Sequence, residues 1–307
     1  MQTSVLGNTS LEISRLGVGL AEIGSELTLD DVDQAGELLN RALDSGISFL
    51  DTAACYGVSE ELIGRTVSNR RSAYVLASKA GHAAGLPTEP WTYETVAASV
   101  DRSLQRMKTD VIDILQLHSC GVDVLEKGDV VRALQDARAA GKIRFVSYSG
   151  DNESAHWAVD SGLFSTLQTT FNVSDQRAFT TGLLEKAAAR GVGIIIKRPI
   201  AGGTWRVARQ TEPDARVRGY DQPYVDRATA LASEGPVPGE PADAIAFSLG
   251  FVLSHPEVCT AIVGTKNPRH MESNLRMIDE GVALPSQALD EMHARFEKLD
   301  DGWVQRG

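Results

Sequence analysis

Eight short apolar runs alternate with stretches of helical periodicity along this chain, and that rhythm constrains the fold more than any single motif. The runs centre near residues 17, 49, 76, 115, 145, 169, 195 and 262. The run 111–117 is almost continuously apolar, as a parallel strand covered on both faces should be. Between the runs, Val32, Ala35, Leu38, Leu39, Ala42 and Leu43 recur at helical spacing, with Thr28 as N-cap, Asp31 three residues on, and Gly46 just past the end. Further helices are expected at 59–67, 92–107, 153–161, 179–190, 242–253, 268–278 and 285–299, with Asp123 or Asp129 capping one that carries Val131, Leu134 and Ala137. Strand and helix in alternation eight times describe a closed (β/α)8 TIM barrel rather than an open doubly wound sheet. An open dinucleotide-binding sheet would carry G-x-G-x-x-G after an early strand, and Gly17-Val18-Gly19 supplies only the first two glycines. Residues 3–6 and 11–13 flank Gly7-Asn8 and read as a hairpin ahead of the barrel. A chain of 307 residues suits one barrel domain, 1–307.

The segment 199–241 breaks the rhythm. It holds six prolines, five glycines, and arginines at 206, 209, 216 and 218, with a short helix expected at 224–233. As a long loop after strand seven it would lie on the catalytic face of a barrel, as a lid or pocket wall with Trp205 and Tyr220 as apolar candidates. Substrate identity is expected to be set by this loop, the loop 20–27, the segment 82–91 and the tail around Trp303, with Trp91, Trp205 and Trp303 as walls.

The net charge of −11 argues against a nucleic-acid partner and against an anionic membrane surface. Cys55, Cys120 and Cys259 are odd in number and far apart, so no disulfide framework and no metal site is expected, and a cytoplasmic location fits. The first residues lack a basic stretch followed by an apolar one, and no run of about 18 apolar residues exists.

In a barrel, chemistry gathers at the C-terminal ends of the strands. Those ends carry Asp51 and then Tyr56, Lys79, His118, Ser149, Gln168, Lys197-Arg198, and Gly264-Thr265-Lys266. A buried lysine needs a counter-charge, which Asp51 can supply. An ammonium beside Tyr56 favours the phenolate and is expected to lower its pKa. Such a tyrosine can protonate a forming alkoxide, with His118 holding the carbonyl oxygen. None of these groups donates hydride, so a redox reaction needs a cofactor. Asp113, inside a strand, reads as a structural partner instead. At the end of strand eight, Lys266 and Arg269 flank a helix start, where free N–H groups and the helix dipole favour a phosphate.

Gly46-x-x-x-x-Asp51-Thr52-Ala53-x-x-Tyr56-Gly57 resembles the first signature of the aldo-keto reductases, and Leu104-x-x-x-x-x-Asp110-x-x-Asp113-x-x-x-x-His118 resembles the second. Lys79 follows the third strand as that family's lysine does, and the likeness runs end to end. The resemblance implies a nicotinamide-dependent reductase of aldehydes or ketones, with Asp51, Tyr56, Lys79 and His118 catalytic. It implies that Ser149 and Gln168 hold the nicotinamide carboxamide, Asn152 being displaced from the usual Ser-Asn pair. Lys197-Arg198 stand where many members carry a stacking tyrosine. Gly264, Thr265, Lys266, His270 and Asn274 match the segment that grips the adenosine phosphate, which favours NADP(H), with NAD(H) as the alternative cofactor. The partner is then a small-molecule carbonyl or alcohol, and the chain a monomer or small homo-oligomer. Two other readings use the same residues: a sugar or polyol dehydrogenase working oxidatively, and a cofactor-binding regulatory subunit.

Overall fold

A computed structural model of the chain describes residues 1–209 and 219–305. Strands β1 (Thr3–Val5) and β2 (Glu12–Ser14) pair antiparallel. The other eight are β3 (Leu16–Gly19), β4 (Phe49–Asp51), β5 (Val75–Ala80), β6 (Ile112–His118), β7 (Ile143–Ser149), β8 (Thr166–Thr170), β9 (Gly193–Lys197) and β10 (Val258–Gly264). They pair in parallel, in chain order, and β10 closes against both β9 and β3. The closed (β/α)8 barrel is therefore the fold.

Side chains alternate along each strand, so residues two apart share a face. Phe49, Ala77, Ile114, Ile195 and Ile262 form an apolar cluster inside the barrel with Leu6, Leu11 and Ile13 of the hairpin. The hairpin closes the N-terminal end: the Asn8 N–H donates to the Gly191 carbonyl at 2.8 Å. Two residues further along the same strands stand Asp51, Lys79, Gln116 and Lys197, so one step of the pleat turns an apolar floor into a charged mouth. The outward faces pack under the helices in the larger core, which takes in Leu38, Leu39, Leu76, Leu115 and Phe247.

Several sequence expectations need correction. Asp31 stands at the N-cap of the helix Val32–Asp44, while Thr28 begins the preceding turn and donates its N–H and its hydroxyl to the Asp31 carboxylate, both at 2.8 Å. Residues 20–27 are not a plain loop but enclose the helix Ala21–Glu26. The helix expected at 179–190 is two, Arg177–Thr180 and Leu183–Ala189, broken where Gly182 takes φ +70°. Both Asp123 and Asp129 lie in first turns, of Val122–Lys127 and Asp129–Ala139. Within 199–241 the chain forms the helices Thr204–Ala208 and Gln222–Ser233, with Trp205, Tyr224, Ala228 and Leu231 fully buried. Arg216 and Arg218 lie outside the described residues.

Asp113 behaves as a structural partner. Its carboxylate accepts from Arg71 at 2.6 Å, Arg144 at 2.8 Å and the Leu76 N–H at 2.9 Å, tying β6 to β5 and β7.

Candidate active site

β4 ends at Asp51, and Lys79 lies one strand over on β5. The Lys79 ammonium sits 2.5 Å from Asp51 Oδ2 and donates to the Thr52 carbonyl at 2.9 Å. Both side chains are almost wholly buried. Asp51 Oδ1 accepts from Gln116 Nε2 at 3.0 Å and Gln168 Nε2 at 2.8 Å. Four strands thus converge on one carboxylate, as a desolvated ion pair requires if its remaining lone pairs are to be satisfied. Burial opposes the Lys79 charge, but Asp51 and then Tyr56 outweigh it, and its pKa stands above the ordinary lysine value.

Tyr56 reaches this pair from the turn after β4. That turn is held by a close backbone approach: a Cβ on Gly24 would lie 2.0 Å from the Tyr56 carbonyl oxygen, and one on Gly57 2.1 Å from the Gly24 carbonyl oxygen. Gly57 also takes φ +48°, which side chains disfavour. Thr52 and Ser59 hydroxyls bond at 2.7 Å and fix the turn to the helix Ser59–Thr66. The Lys79 ammonium lies 4.9 Å from the centroid of the Tyr56 ring. Burial raises the Tyr56 pKa, and although Lys79 pulls it down, the net shift is upward. The expectation of a lowered pKa is therefore corrected: desolvation of the phenolate wins, and the free site holds a neutral phenol with a proton to give.

His118 ends β6, its ring 5.6 Å from that of Tyr56 and 5.0 Å from that of His82. Burial, then the positive charge of Lys79, pushes its pKa down to about 2, so the ring is neutral at pH 7. Its Nδ1 lies 3.4 Å from Cys55 Sγ.

Ser149 and Gln168 join the same network, the hydroxyl donating to Gln168 Oε1 at 3.0 Å. The Gln168 carboxamide still has one N–H and one lone pair to offer, which fits a nicotinamide amide. Asn152 is occupied elsewhere: its backbone and side-chain nitrogens donate to Gln305 at 3.2 and 3.1 Å. Gln305 in turn donates to the Thr170 carbonyl at 2.6 Å, so the C-terminal tail reaches the strand ends. Lys197 is paired with the buried Asp151 at 2.8 Å, and Arg198, 5.3 Å from the Tyr220 ring centroid, donates to Thr170 Oγ1 at 2.7 Å.

The segment expected to meet a phosphate forms a separate station. Asn267 caps the helix Pro268–Glu280 by accepting from the Arg269 N–H, and Thr265 Oγ1 accepts from the Asn267 N–H at 3.0 Å. Thr265 and Asn274 are buried, His270 and Gly264 are exposed, and the Lys266 ammonium pairs with Glu26 at 2.6 Å.

The three tryptophans part company. Trp91 packs edge-on to His82 with centroids 4.6 Å apart, beside the site. Trp303 sits against Phe296 and Arg227 on the tail. Trp205 stacks on Phe247 in the core, is 1% exposed, and donates its indole N–H to Glu240. It presents no face to a ligand, so its expected role as a pocket wall is corrected. Gln116 was missed, although it lies two residues from Ile114 and two from His118 on the inward face. Asp151, Cys55, His82 and Gly24 were missed as well.

A (β/α)8 barrel whose mouth joins a buried Asp–Lys pair to a tyrosine and a neutral histidine defines the class of carbonyl and alcohol oxidoreductases. Residues 15–295 match the model of the Aldo/keto reductase family, and the chain belongs to that family. It is 25% identical to L-galactose dehydrogenase of Arabidopsis thaliana, over 97% of this chain and 95% of that one. It is 28% identical to 6-dehydroglucose reductase of Novosphingobium aromaticivorans, over 85% of each. The solved aldo-keto reductase from Bacillus halodurans shares the fold with a TM-score of 0.79, at 22% identity, over 96% of each chain. Among the described residues no helix is long and apolar enough to cross a membrane.

Proposed function

We propose that this oxidoreductase reduces a carbonyl of a sugar or similar polar metabolite to the alcohol, with NADPH as the reductant. The observation that carries the reading is the contact of Lys79 with Asp51 at 2.5 Å and with the Tyr56 ring at 4.9 Å, under His118. Bound reduced nicotinamide would supply the hydride. The chain's own groups manage the proton and the charge. Tyr56, neutral in the free site, donates its proton to the oxygen as negative charge builds there. The Lys79 ammonium stabilises the phenolate left behind, and Asp51 keeps that ammonium charged and in place. Neutral His118 donates an N–H to the same oxygen and fixes its direction. Ser149 and Gln168 would hold the carboxamide, and Lys197 and Arg198 would flank the ring in place of an aromatic. The names of the two sugar-acting relatives support a polyhydroxylated substrate, and Trp91 and His82 offer one aromatic and one polar wall.

NADPH is favoured over NADH because Lys266, Arg269 and His270 surround a helix N-terminus in a chain that is otherwise acidic. The Lys266–Glu26 pair is partly exposed and so is weak enough for a phosphate to displace. The test follows nicotinamide absorbance with both cofactors across a panel of aldoses, ketoses, aldehydes and the matching alcohols. Turnover with NADPH on a sugar carbonyl is expected. Absence of turnover with either cofactor in both directions overturns the reading.

A further inference from the structure

Among the described residues, one cluster of ligand-type side chains lies at the mouth, beside the proton-transfer groups. Cys55, in the turn before Tyr56, His82, just past β5, and His118, at the end of β6, place their ligand atoms all within 4.8 Å of one another. We propose that these three residues bind a thiophilic divalent cation, with Zn2+ as the physiological type, and that the bound ion shuts the enzyme off reversibly.

The geometry suits that ion. Zinc bonds of about 2.3 Å to sulfur and about 2.0–2.1 Å to nitrogen put a tetrahedral S···N edge at about 3.5 Å. Cys55 Sγ and His118 Nδ1 already lie 3.4 Å apart. His82 needs only a small approach, and it is the exposed member of the three. It is not loose, however. Trp91 lies edge-on to its ring, and the Trp91 N–H donates to the Gly81 carbonyl at 2.8 Å. A Cβ at Gly81 would lie 1.8 Å from the Trp91 ring, so the glycine lets the indole close over this turn. Three protein ligands leave the fourth position open toward the mouth. The nearby cations do not forbid the site, since Lys79 is paired with Asp51 and Lys197 with Asp151.

Binding would exchange the Cys55 S–H proton, released to solvent, for a sulfur–metal bond. Only a metal with strong thiolate affinity favours that exchange. Mg2+ and Ca2+, which favour oxygen ligands, are excluded. Because Nδ1 takes the ion, the His118 ring stays in place, and the ion with the ligand at its open fourth position would fill the mouth beside it, which makes it an inhibitor competitive with the carbonyl. No sequence spacing announces such a site, because its ligands come from three separate strand ends.

The test uses the full chain after treatment with a chelator. Co2+ is titrated as a spectroscopic probe, and thiolate-to-cobalt charge-transfer and tetrahedral visible bands are expected, lost on adding Zn2+. Cys55→Ser should abolish the charge-transfer band. His82→Ala should weaken Co2+ binding at least about tenfold, since even removing a partner of a ligand costs about that much. Cys55→Ser should keep metal-free turnover, both variants should keep the wild-type melting temperature, and each, measured against its own metal-free rate, should need at least about tenfold more Zn2+ for inhibition. The cobalt spectra require no turnover, so they report on this site even if the assigned reaction fails. Absence of a charge-transfer band in wild type, or equal Zn2+ sensitivity in all three proteins, overturns the proposal.

Discussion

The floor and the mouth of the barrel are built from the same strands, two residues apart, and they obey opposite rules. Phe49, Ala77 and Ile114 meet the hairpin side chains Leu6, Leu11 and Ile13 with no polar atom to satisfy. Asp51 and Lys79, one pleat step higher, are equally buried but stay there only because each charge meets the other, and Gln116 adds an N–H to Asp51 while its own Oε1 has no partner among the described residues. The floor is held by area removed from water and tolerates apolar side chains of similar volume. The mouth is held by pairing, so removing one partner strands the other in a dry site. Stability is thus distributed over the floor, while the groups that the proposed chemistry would use are concentrated in a few atoms of the mouth.

The sharpest break in that comparison is Lys79→Met. It leaves the Asp51 carboxylate buried without its cation, a loss of about 3–5 kcal/mol. Chemical denaturation should show that loss and turnover should disappear with it. Ile114→Ala, on the same inner face but in the floor, should cost about 2–5 kcal/mol through the cavity it leaves. Its kcat/KM, measured on folded protein, should stay within a few-fold of wild type. If Ile114→Ala cripples turnover without destabilising, the division between floor and mouth is wrong.

Much of this was legible because alternation is a property of the sequence. The apolar runs announced eight strands, and a polar or charged residue at the end of most of them announced a strand end, so Asp51, Tyr56, Lys79 and His118 could be named as candidates. Gln116 could have been named by the same count. What could not be read was contact between distant segments. The helix Ala21–Glu26 is too short to show a period, and Gly24 inside it is a poor helix former. Gly24 matters because it lets the Tyr56 turn approach, which only the folded chain displays. Trp205 looked like a pocket wall because a tryptophan in an irregular segment gives no hint of which way it faces. Phe247 and Glu240 decide that from outside its own helix. The sign of the Tyr56 shift was missed for a related reason: the charge of Lys79 was evident, but the depth of burial was not.

A smaller effect separates the two regions by pH. His118 is neutral when folded, with its pKa pushed from 6.5 to about 2, whereas the unfolded chain protonates it near 6.5. The unfolded state therefore binds more protons between those values, and stability is lost as pH falls below about 6.5. The slope approaches about 1.4 kcal/mol per pH unit. Burial, and then His255, lowers His293 to about 4 with the same sign, so the comparison must be a difference. His118→Gln should reduce the loss between about pH 7 and pH 5 by roughly 1–2 kcal/mol. No floor substitution should alter that slope. The mildest effect is expected at the far station: Lys266→Ala should raise the Kd for NADPH about tenfold while leaving NADH nearly unchanged, as loss of one phosphate contact implies. Fluorescence titration with both cofactors reads it, and equal affinity of the wild type for the two would remove the NADPH preference.

The central claim is that Tyr56, set beside the buried Lys79–Asp51 pair, gives the proton. The direct measurement is kcat/KM for NADPH-dependent reduction by wild type and Tyr56→Phe, with melting temperatures recorded on the same samples. Loss of one positioned proton donor should lower kcat/KM by about 100- to 10,000-fold. The melting temperature should scarcely move, since the ring and its packing remain. Equal kcat/KM in the two proteins would contradict the account.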